Sequence, residues 1–286
     1  MRDYVIFTDS ACDIFPETLE EWGVRYAELN VQFKGSKQTY RNYEIPIKTF
    51  YQRMRDGDVA VTSAVNSDAF HRAFEPVLKE GLDILYLGFS TGLSATYNSG
   101  CIAAVELAAA YPDRTILTVD SLSASAGFGL LLYLCVQQKK AGKSIQEVAK
   151  YAEDNRLHLC HWFTVEDLVY LKRGGRVSAA TALLGGMLGI KPVLHVDNEG
   201  HLINMSKARG RKNSIQALAD AYGRSNLGEG TIFISHGDCQ EDAEYLAELL
   251  RKNYGAKVTL ITYVGPVIGA HSGPGTLALF FLGSER

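Results

Sequence analysis

Short runs of consecutive apolar residues alternate along the chain with longer segments whose apolar positions recur every three to four residues. The first pattern marks strands and the second amphipathic helices, so their alternation predicts βαβ units. Tyr4–Thr8, Val59–Thr62, Asp83–Phe89 and Thr115–Val119 read as four strands of a parallel sheet. Helical stretches fall between them, at Asp68–Lys79 with Ser67 as N-cap, and at Ser94–Ala110. The second is rich in small residues, Ser99, Gly100, Ala103 and Ala104 among them, which permit close approach by a neighbour or a ligand. Tyr26–Phe33 and Gln38–Tyr40, joined through Gly35-Ser36, predict a hairpin inserted at about 25–45. A helix at Ile47–Arg55 follows it. Gly127–Lys140 is apolar nearly all round and is expected to be a buried helix. Gly142 ends it, and Ser144 caps the next helix, Ile145–Asn155.

A boundary near residue 157 separates an N-terminal domain, 1–157, from a C-terminal one, 158–286. The second opens with a strand at His158–Thr164, a short helix at Asp167–Lys172 and a glycine-broken basic turn. An apolar helix at Ala179–Leu188 comes next, then a hairpin of Lys191–Val196 and His201–Lys207 turning through Asp197-Asn198-Glu199-Gly200. Helix Ser214–Tyr222, strand Thr231–Ser235, helix Glu241–Asn253 and strand Lys257–Tyr263 complete an α/β layer. The expected fold class is therefore two-domain α/β, a parallel-sheet N-terminal domain with a small hairpin insertion followed by an α/β C-terminal domain.

Composition narrows the functional classes. The 286 residues, 47% hydrophobic and 21% charged, exclude a disordered chain and suit two domains. Lys+Arg number 29 against 32 Asp+Glu, and a net charge of −3 speaks against non-specific nucleic-acid binding. The longest apolar run, Ala126–Val136, is too short to span a bilayer, and the first ten residues lack a signal peptide's pattern. A soluble cytoplasmic protein is expected. The five Cys form no C-x-x-C pair, and His158, Cys160 and His161 do not share one strand face, so no metal is expected. No cofactor is expected either. With no apolar stripe left unaccounted for, the chain is expected to be a monomer.

The chemistry-bearing residues gather at strand ends: Asp9-Ser10, Thr62-Ser63, Ser90-Thr91 and Asp120-Ser121. Any one pair suits helix capping. Four at the carboxyl ends of parallel strands point instead to a polar crevice. Ser94 begins the small-residue helix, whose free N–H groups and partial positive charge suit a carboxylate or phosphate. Thr62 and Ser63 add hydroxyl donors, while the helices behind offer carbon rather than charge. That combination describes an amphiphile's site better than a nucleotide's. Sharper motifs fail: Gly92-Leu93-Ser94-Ala95-Thr96 lacks the last Gly of a nucleophile elbow, and Ala141-Gly142-Lys143-Ser144 has Gln137 where a P-loop needs Gly. Gly127-Phe128-Gly129 has no third glycine for a dinucleotide site. In the second half, Leu171–Arg176 with Lys207, Arg209, Arg211 and Lys212 forms either a basic patch or a solvated face. Gly265–Gly275 reads as a stiff irregular loop that holds His271 where its imidazole can donate to a carboxylate.

Taken together these blocks resemble the DegV family, the fatty-acid-binding subunits of bacterial fatty acid kinase. The matching residues are Thr8-Asp9-Ser10 with Asp13, Thr62-Ser63, Leu93-Ser94-Ala95-Thr96, Val119-Asp120-Ser121, Leu171 to Arg176, Ile190-Lys191-Pro192, and Gly265 to Gly275. They run in the family's order over essentially the whole chain. The resemblance implies a lipid-binding protein rather than an enzyme, with a long-chain fatty acid of the palmitate or oleate class buried in the first domain. It implies Thr62, Ser94 and His271 as carboxylate ligands, with Ser63 a weaker candidate, and no buried Arg at the head group. A separate fatty acid kinase catalytic subunit would form the acyl-phosphate, contacted by Arg173 and Arg209, and transient membrane contact has a place in such a cycle. Two departures bear on acyl preference and affinity. Ala64-Val65-Asn66 stands where the family reads Q-P-S, and Ala95 where it reads Gly. Two other classes remain in view at this point: a serine hydrolase using Ser94, His271 and Asp9 or Asp120, and a phosphotransferase, since the layout is similar to dihydroxyacetone kinases.

Overall fold

A computed structural model describes residues 2–177, 189–228, 230–284 and 286. The first half runs β1 (Tyr4–Asp9), α1 (Pro16–Glu21), β2 (Val24–Ala27), β3 (Asn30–Phe33), β4 (Thr39–Arg41), α2 (Ile47–Arg55), β5 (Ala60–Ser63) and α3 (Ser67–Lys79). It continues through β6 (Asp83–Gly88), α4 (Thr96–Ala110), β7 (Ile116–Asp120), α5 (Ser125–Lys140) and α6 (Ile145–Asn155). The second half comprises β8 (Leu159–Thr164), α7 (Val169–Gly174), β9 (Ile190–Val196), β10 (Leu202–Arg209), α8 (Arg211–Ser225), β11 (Phe233–His236), α9 (Gln240–Tyr254), β12 (Leu260–Tyr263), α10 (Pro266–Ser272) and β13 (Leu277–Leu282). The expected helix at Ala179–Leu188 lies outside the described residues.

The class is α/β. Among the described residues the strands form three sheets. A parallel sheet has the order β2-β1-β6-β7. Every residue of β1 and β6 is buried, the signature of strands covered by helices on both faces. A six-stranded sheet, β10-β9-β8-β13-β11-β12, is antiparallel except between β11 and β12. The third is a small antiparallel sheet, β4-β3-β5.

Several expectations are corrected here. The run at Val59–Thr62 does form a strand, but β5 pairs antiparallel with β3 in the small sheet, matching Thr62 with Val31. The parallel sheet takes β2 in its place, because the expected single strand at Tyr26–Phe33 breaks at Glu28-Leu29 and its two pieces enter different sheets. Helix α3 is capped by Asn66, whose side chain accepts from the N–H of Ala69 at 2.9 Å, and Ser67 is already helical. The run Gly265–Gly275 is mostly helix: Pro266 occupies the first turn of α10, where its missing N–H costs nothing, and Gly273 closes the end with φ of 84°. A strand not anticipated, β13, occupies an inner position of the six-stranded sheet, between β8 and β11. Ser144 caps α6 as expected, and Glu147 reaches back to complete a capping box with it.

Helix α5 explains why the halves pack as one body. Its residues from Ser125 to Leu132 are buried without interruption. One apolar core runs through it, joining Phe7, Phe74 and Leu131 of the first half to Phe163, Phe233 and Phe280 of the second. The helix is the shared layer between the parallel sheet's loops and the six-stranded sheet.

Candidate functional site

The strand ends expected to ring a single crevice are mostly consumed in holding loops. Asp9 is fully buried and accepts from the N–H of Ala11 (3.1 Å), the N–H of Phe89 (3.0 Å) and the hydroxyl of Tyr86 (3.1 Å). Asp120 accepts from the hydroxyl of Thr91 at 2.6 Å and the N–H of Leu122 at 2.9 Å. The hydroxyl of Ser90 donates to the carbonyl of Gly200 at 3.0 Å, docking the β9–β10 turn onto the first half. Buried polar groups need partners, and these loops supply them, so three of the four strand ends are structural. The fourth is different.

Thr62 and Ser63 are neighbours on β5, so their side chains leave the strand on opposite sides. Thr62 lines a cavity of about 240 Å³, whereas Ser63 is exposed and lies outside the lining. Ser94 and His271 line the same cavity. The Nε2 of His271 stands 2.8 Å from the hydroxyl oxygen of Thr62, across a sequence separation of 209 residues. Ser94 precedes α4 rather than beginning it: its hydroxyl oxygen accepts from the N–H of Thr96 at 3.2 Å and lies 2.9 Å from the Thr96 hydroxyl. The loop that carries it is pinned by the N–H of Ser94 donating to the carbonyl of Ser90 at 3.1 Å.

What brings His271 to Thr62 is the clamping of α10. The N–H of Val267 donates to the side chain of Asn42 at 2.8 Å, and Asn42 in turn donates to the carbonyl of Ser10 at 3.0 Å. The hydroxyl of Tyr51 donates to the carbonyl of Val264 at 2.7 Å, just ahead of the helix. Gly269 allows that approach, since a Cβ there would lie 2.6 Å from the Tyr51 hydroxyl.

Burial, and then the Arg176 guanidinium, push the His271 imidazole down to about 4, so it is neutral at physiological pH. Its Nδ1 is buried without a hydrogen-bond partner. An unpaired lone pair is the cheaper form to bury than an unpaired N–H, which places the proton on Nε2. The Nε2–H then donates to the Thr62 oxygen, and the Thr62 O–H is left to point elsewhere. That leaves two hydroxyls, Thr62 and Ser94, able to donate into the cavity toward an anion.

Arg176 also lines the cavity, and the sequence reading missed it. It is exposed, its Nε donates to the carbonyl of Leu93 at 3.3 Å, and another of its nitrogens donates to the carbonyl of Gly174. A cation therefore stands at the polar end of the cavity, where none was expected. Only its place within the Leu171–Arg176 turn pointed to it. The remaining lining is largely carbon: Leu29, Phe89, Leu93, Phe163, Val196, Leu202, Val264, Val267, Ile268 and Phe280 contribute. Ser125, His161, Ser235, Ser272 and Thr276 interrupt it; the Ser125 and Ser235 hydroxyls lie 3.0 Å apart and are backed by the buried carboxyl of Asp13. One end thus gathers groups that can hold an anion, and most of the remaining wall is hydrocarbon.

Arg173 is exposed on α7, its guanidinium 5.7 Å from the Tyr170 ring, and Arg209 is exposed at the end of β10. Two other cations of this region are paired: Arg211 with Asp242 at 2.8 Å, and Lys191 with Glu166. A nucleophilic Ser–His–Asp relay is not assembled by these contacts. His271 is bonded to Thr62 rather than to Ser94, and Asp9 and Asp120 hold loops. No described helix is long and apolar enough to cross a membrane.

The chain is similar to known proteins over its whole length. A curated relative, a DegV domain-containing protein of Clostridium perfringens, is 46% identical over 289 residues, covering 100% of this chain and 99% of its own. Among solved structures, a DegV family protein from Thermus thermophilus, described by its fatty acid binding, superposes with a TM-score of 0.88 at 29% identity, covering 99% and 100% of the two chains. A stearic acid-binding protein from Eubacterium ventriosum gives 0.89 at 26% identity, covering 98% of each. A family model described as "Uncharacterised protein, DegV family" matches residues 3–284, and the chain belongs to the DegV family.

Proposed function

We propose that this protein binds one long-chain fatty acid, of the palmitate or oleate class, with its carboxylate at the Thr62–Ser94–His271 end of the cavity and its tail along the apolar lining. The observation that carries the reading is the division of one cavity into two hydroxyl donors with a neutral imidazole and a cation at one end, and a largely hydrocarbon wall beyond. Each buried methylene contributes about 0.8 kcal/mol, so a fourteen-methylene tail supplies on the order of 11 kcal/mol gross, part of which ordering and association offset. The head group needs only to be oriented. Thr62 donates with His271 behind it, Ser94 donates from the α4 entry, and Arg176 supplies positive charge from the rim.

The protein does no chemistry itself in this reading. It presents the carboxylate to a separate kinase, which forms the acyl-phosphate, and Arg173 and Arg209 contact that kinase or the developing phosphate. Exposure of both guanidinium groups on the second half is what supports the assignment. Ser63 faces away from the cavity and contributes little to the head group.

Replacing Thr62→Val and Ser94→Ala separately tests the carboxylate assignment. Each is expected to weaken palmitate binding by about tenfold, the worth of a hydrogen bond to a charged group, and to leave methyl palmitate unaffected. Equal loss for acid and ester, or no loss for either, contradicts it.

A further inference from the structure

We infer that Gly174 is the positioning residue of the head-group site: it is the empty space that lets His271 reach Thr62. The inference rests on the carboxylate-binding reading above for its functional meaning, and on geometry alone for its physical content. Gly174 is the last residue of α7, and the short helix packs directly against α10. A Cβ built at Gly174 would fall on the Nδ1 of His271, far inside any permitted contact, and within 3.2 Å of both Cγ and Cε1. Its φ is not in the left-handed region, unlike that of Gly175 at 67°. The glycine is therefore required for its missing side chain and not for its backbone.

Two neighbouring contacts limit how the imidazole and its helix can yield. Its Nε2 side is held by Thr62 at 2.8 Å. Gly273, just beyond α10, is itself pressed so closely on Tyr170 that a Cβ there would collide with the ring. A methyl at position 174 would thus rotate the His271 ring out of its plane or push α10 from α7. Either motion breaks the bond to Thr62 and turns the Thr62 hydroxyl away from the direction it holds now.

The same residue ties the head group to the surface turn. The carbonyl of Gly174 accepts from Arg176, and Arg176 also bonds the carbonyl of Leu93, next to Ser94. One turn therefore touches both sides of the anion end, His271 through a bare Cα and the Ser94 loop through a guanidinium. A displacement at Gly174 reaches both hydroxyl donors.

The test is a cycle of Gly174→Ala, His271→Ala and the double variant, read two ways. Ligand-free protein is titrated by NMR of the imidazole, where burial and Arg176 are expected to hold wild-type His271 down at about 4. Gly174→Ala is expected to move that midpoint upward by at least one unit toward the ordinary value, as the ring leaves its buried place beside Arg176. Palmitate binding is then measured against methyl palmitate. Gly174→Ala is expected to lose about tenfold for the acid alone, and to cost nothing further once His271→Ala has vacated the space. An unchanged midpoint, or an equal loss in the His271→Ala background, overturns the inference. A shifted midpoint in a protein whose wild type binds no palmitate sinks the fatty-acid reading and leaves the positioning role standing. The double variant also guards against a folding artefact, because the added methyl has room in it: recovery of thermal stability there supports the inference, and persistent destabilisation contradicts it.

Discussion

At the scale of single residues, two buried titratable groups set opposite pH dependences. Burial raises the Asp13 carboxyl to about 8, although the Ser125 hydroxyl bonded to it favours the charged form. The folded state therefore holds a proton that the unfolded state has released, and stability falls as pH rises from about 4 toward 8. His271 works the other way: with its midpoint down to about 4, the unfolded chain takes the proton first, and stability falls as pH drops below about 6.5. Asn mimics a protonated carboxyl and tolerates the left-handed backbone that Asp13 adopts, with φ of 52°. Asp13→Asn is expected to gain on wild type by more than about 1 kcal/mol between pH 5 and pH 8 in denaturant unfolding. Parallel curves for the two proteins would show that Asp13 is ionised in the native state.

Legibility at this scale was selective. Thr62, Ser94 and His271 were readable because several strand ends carry hydroxyls at once, a His sits among glycines, and the resemblance to the DegV family implies the same three residues; the structure lines one cavity with all three. Ser63 could not be separated from Thr62 until strand direction was known, because a period of two decides which neighbour faces inward. Arg176 was hidden among other cations. Which of several basic residues on a turn bends back toward a cavity depends on partners such as the Leu93 carbonyl, 83 residues away.

At the scale of elements, local signals and the two hairpins read well, and long-range pairing partners did not. The Ser144 capping box is spelled out in four consecutive residues, and Ser144→Ala is expected to lower stability by about 1 kcal/mol while leaving palmitate affinity unchanged, measured by denaturant unfolding and direct binding. A change in affinity would mean that α6 communicates with the cavity. Strand β5 was visible as an apolar run, yet its place in the small sheet with β3 is a long-range choice that no local pattern states. Strand β13 was not legible although Leu277 to Phe281 are all buried, because a six-residue apolar run without alternation carries no period that separates a strand from a buried helical segment. It matters, since Phe280 packs edge-on against His161 at 5.5 Å between ring centroids and also lines the cavity. Phe280→Ala is expected to cost about 3–5 kcal/mol of stability, by the loss of a buried ring and the void left behind. A cost below about 1 kcal/mol would mean that β13 is not part of the apolar core.

At the scale of the molecule, alternation of strands and helices correctly announced an α/β protein. The six-stranded, mainly antiparallel sheet of the second half was not legible, because hairpin and crossover connections share the same short apolar strands. Helix α5 was the strongest single clue to the whole. Its lack of a polar face required burial on every side, and it is the layer through which both halves share one core. A head-group site assembled from β5, the α4 entry and α10 depends on that shared core, since its parts come from both ends of the chain. In the account proposed here the exposed Arg173 and Arg209 serve the kinase and not the ligand. Arg173→Ala with Arg209→Ala is expected to leave palmitate binding within about twofold and to abolish kinase-dependent phosphorylation of the bound acid. Loss of binding would place these residues in the ligand site instead.

The central claim, a buried fatty acid, is tested most directly by denaturing the purified protein, extracting it into organic solvent and identifying the released lipid by mass spectrometry. One equivalent of a long-chain fatty acid per chain is the expected result. A protein that remains empty even after incubation with palmitate and oleate would contradict it.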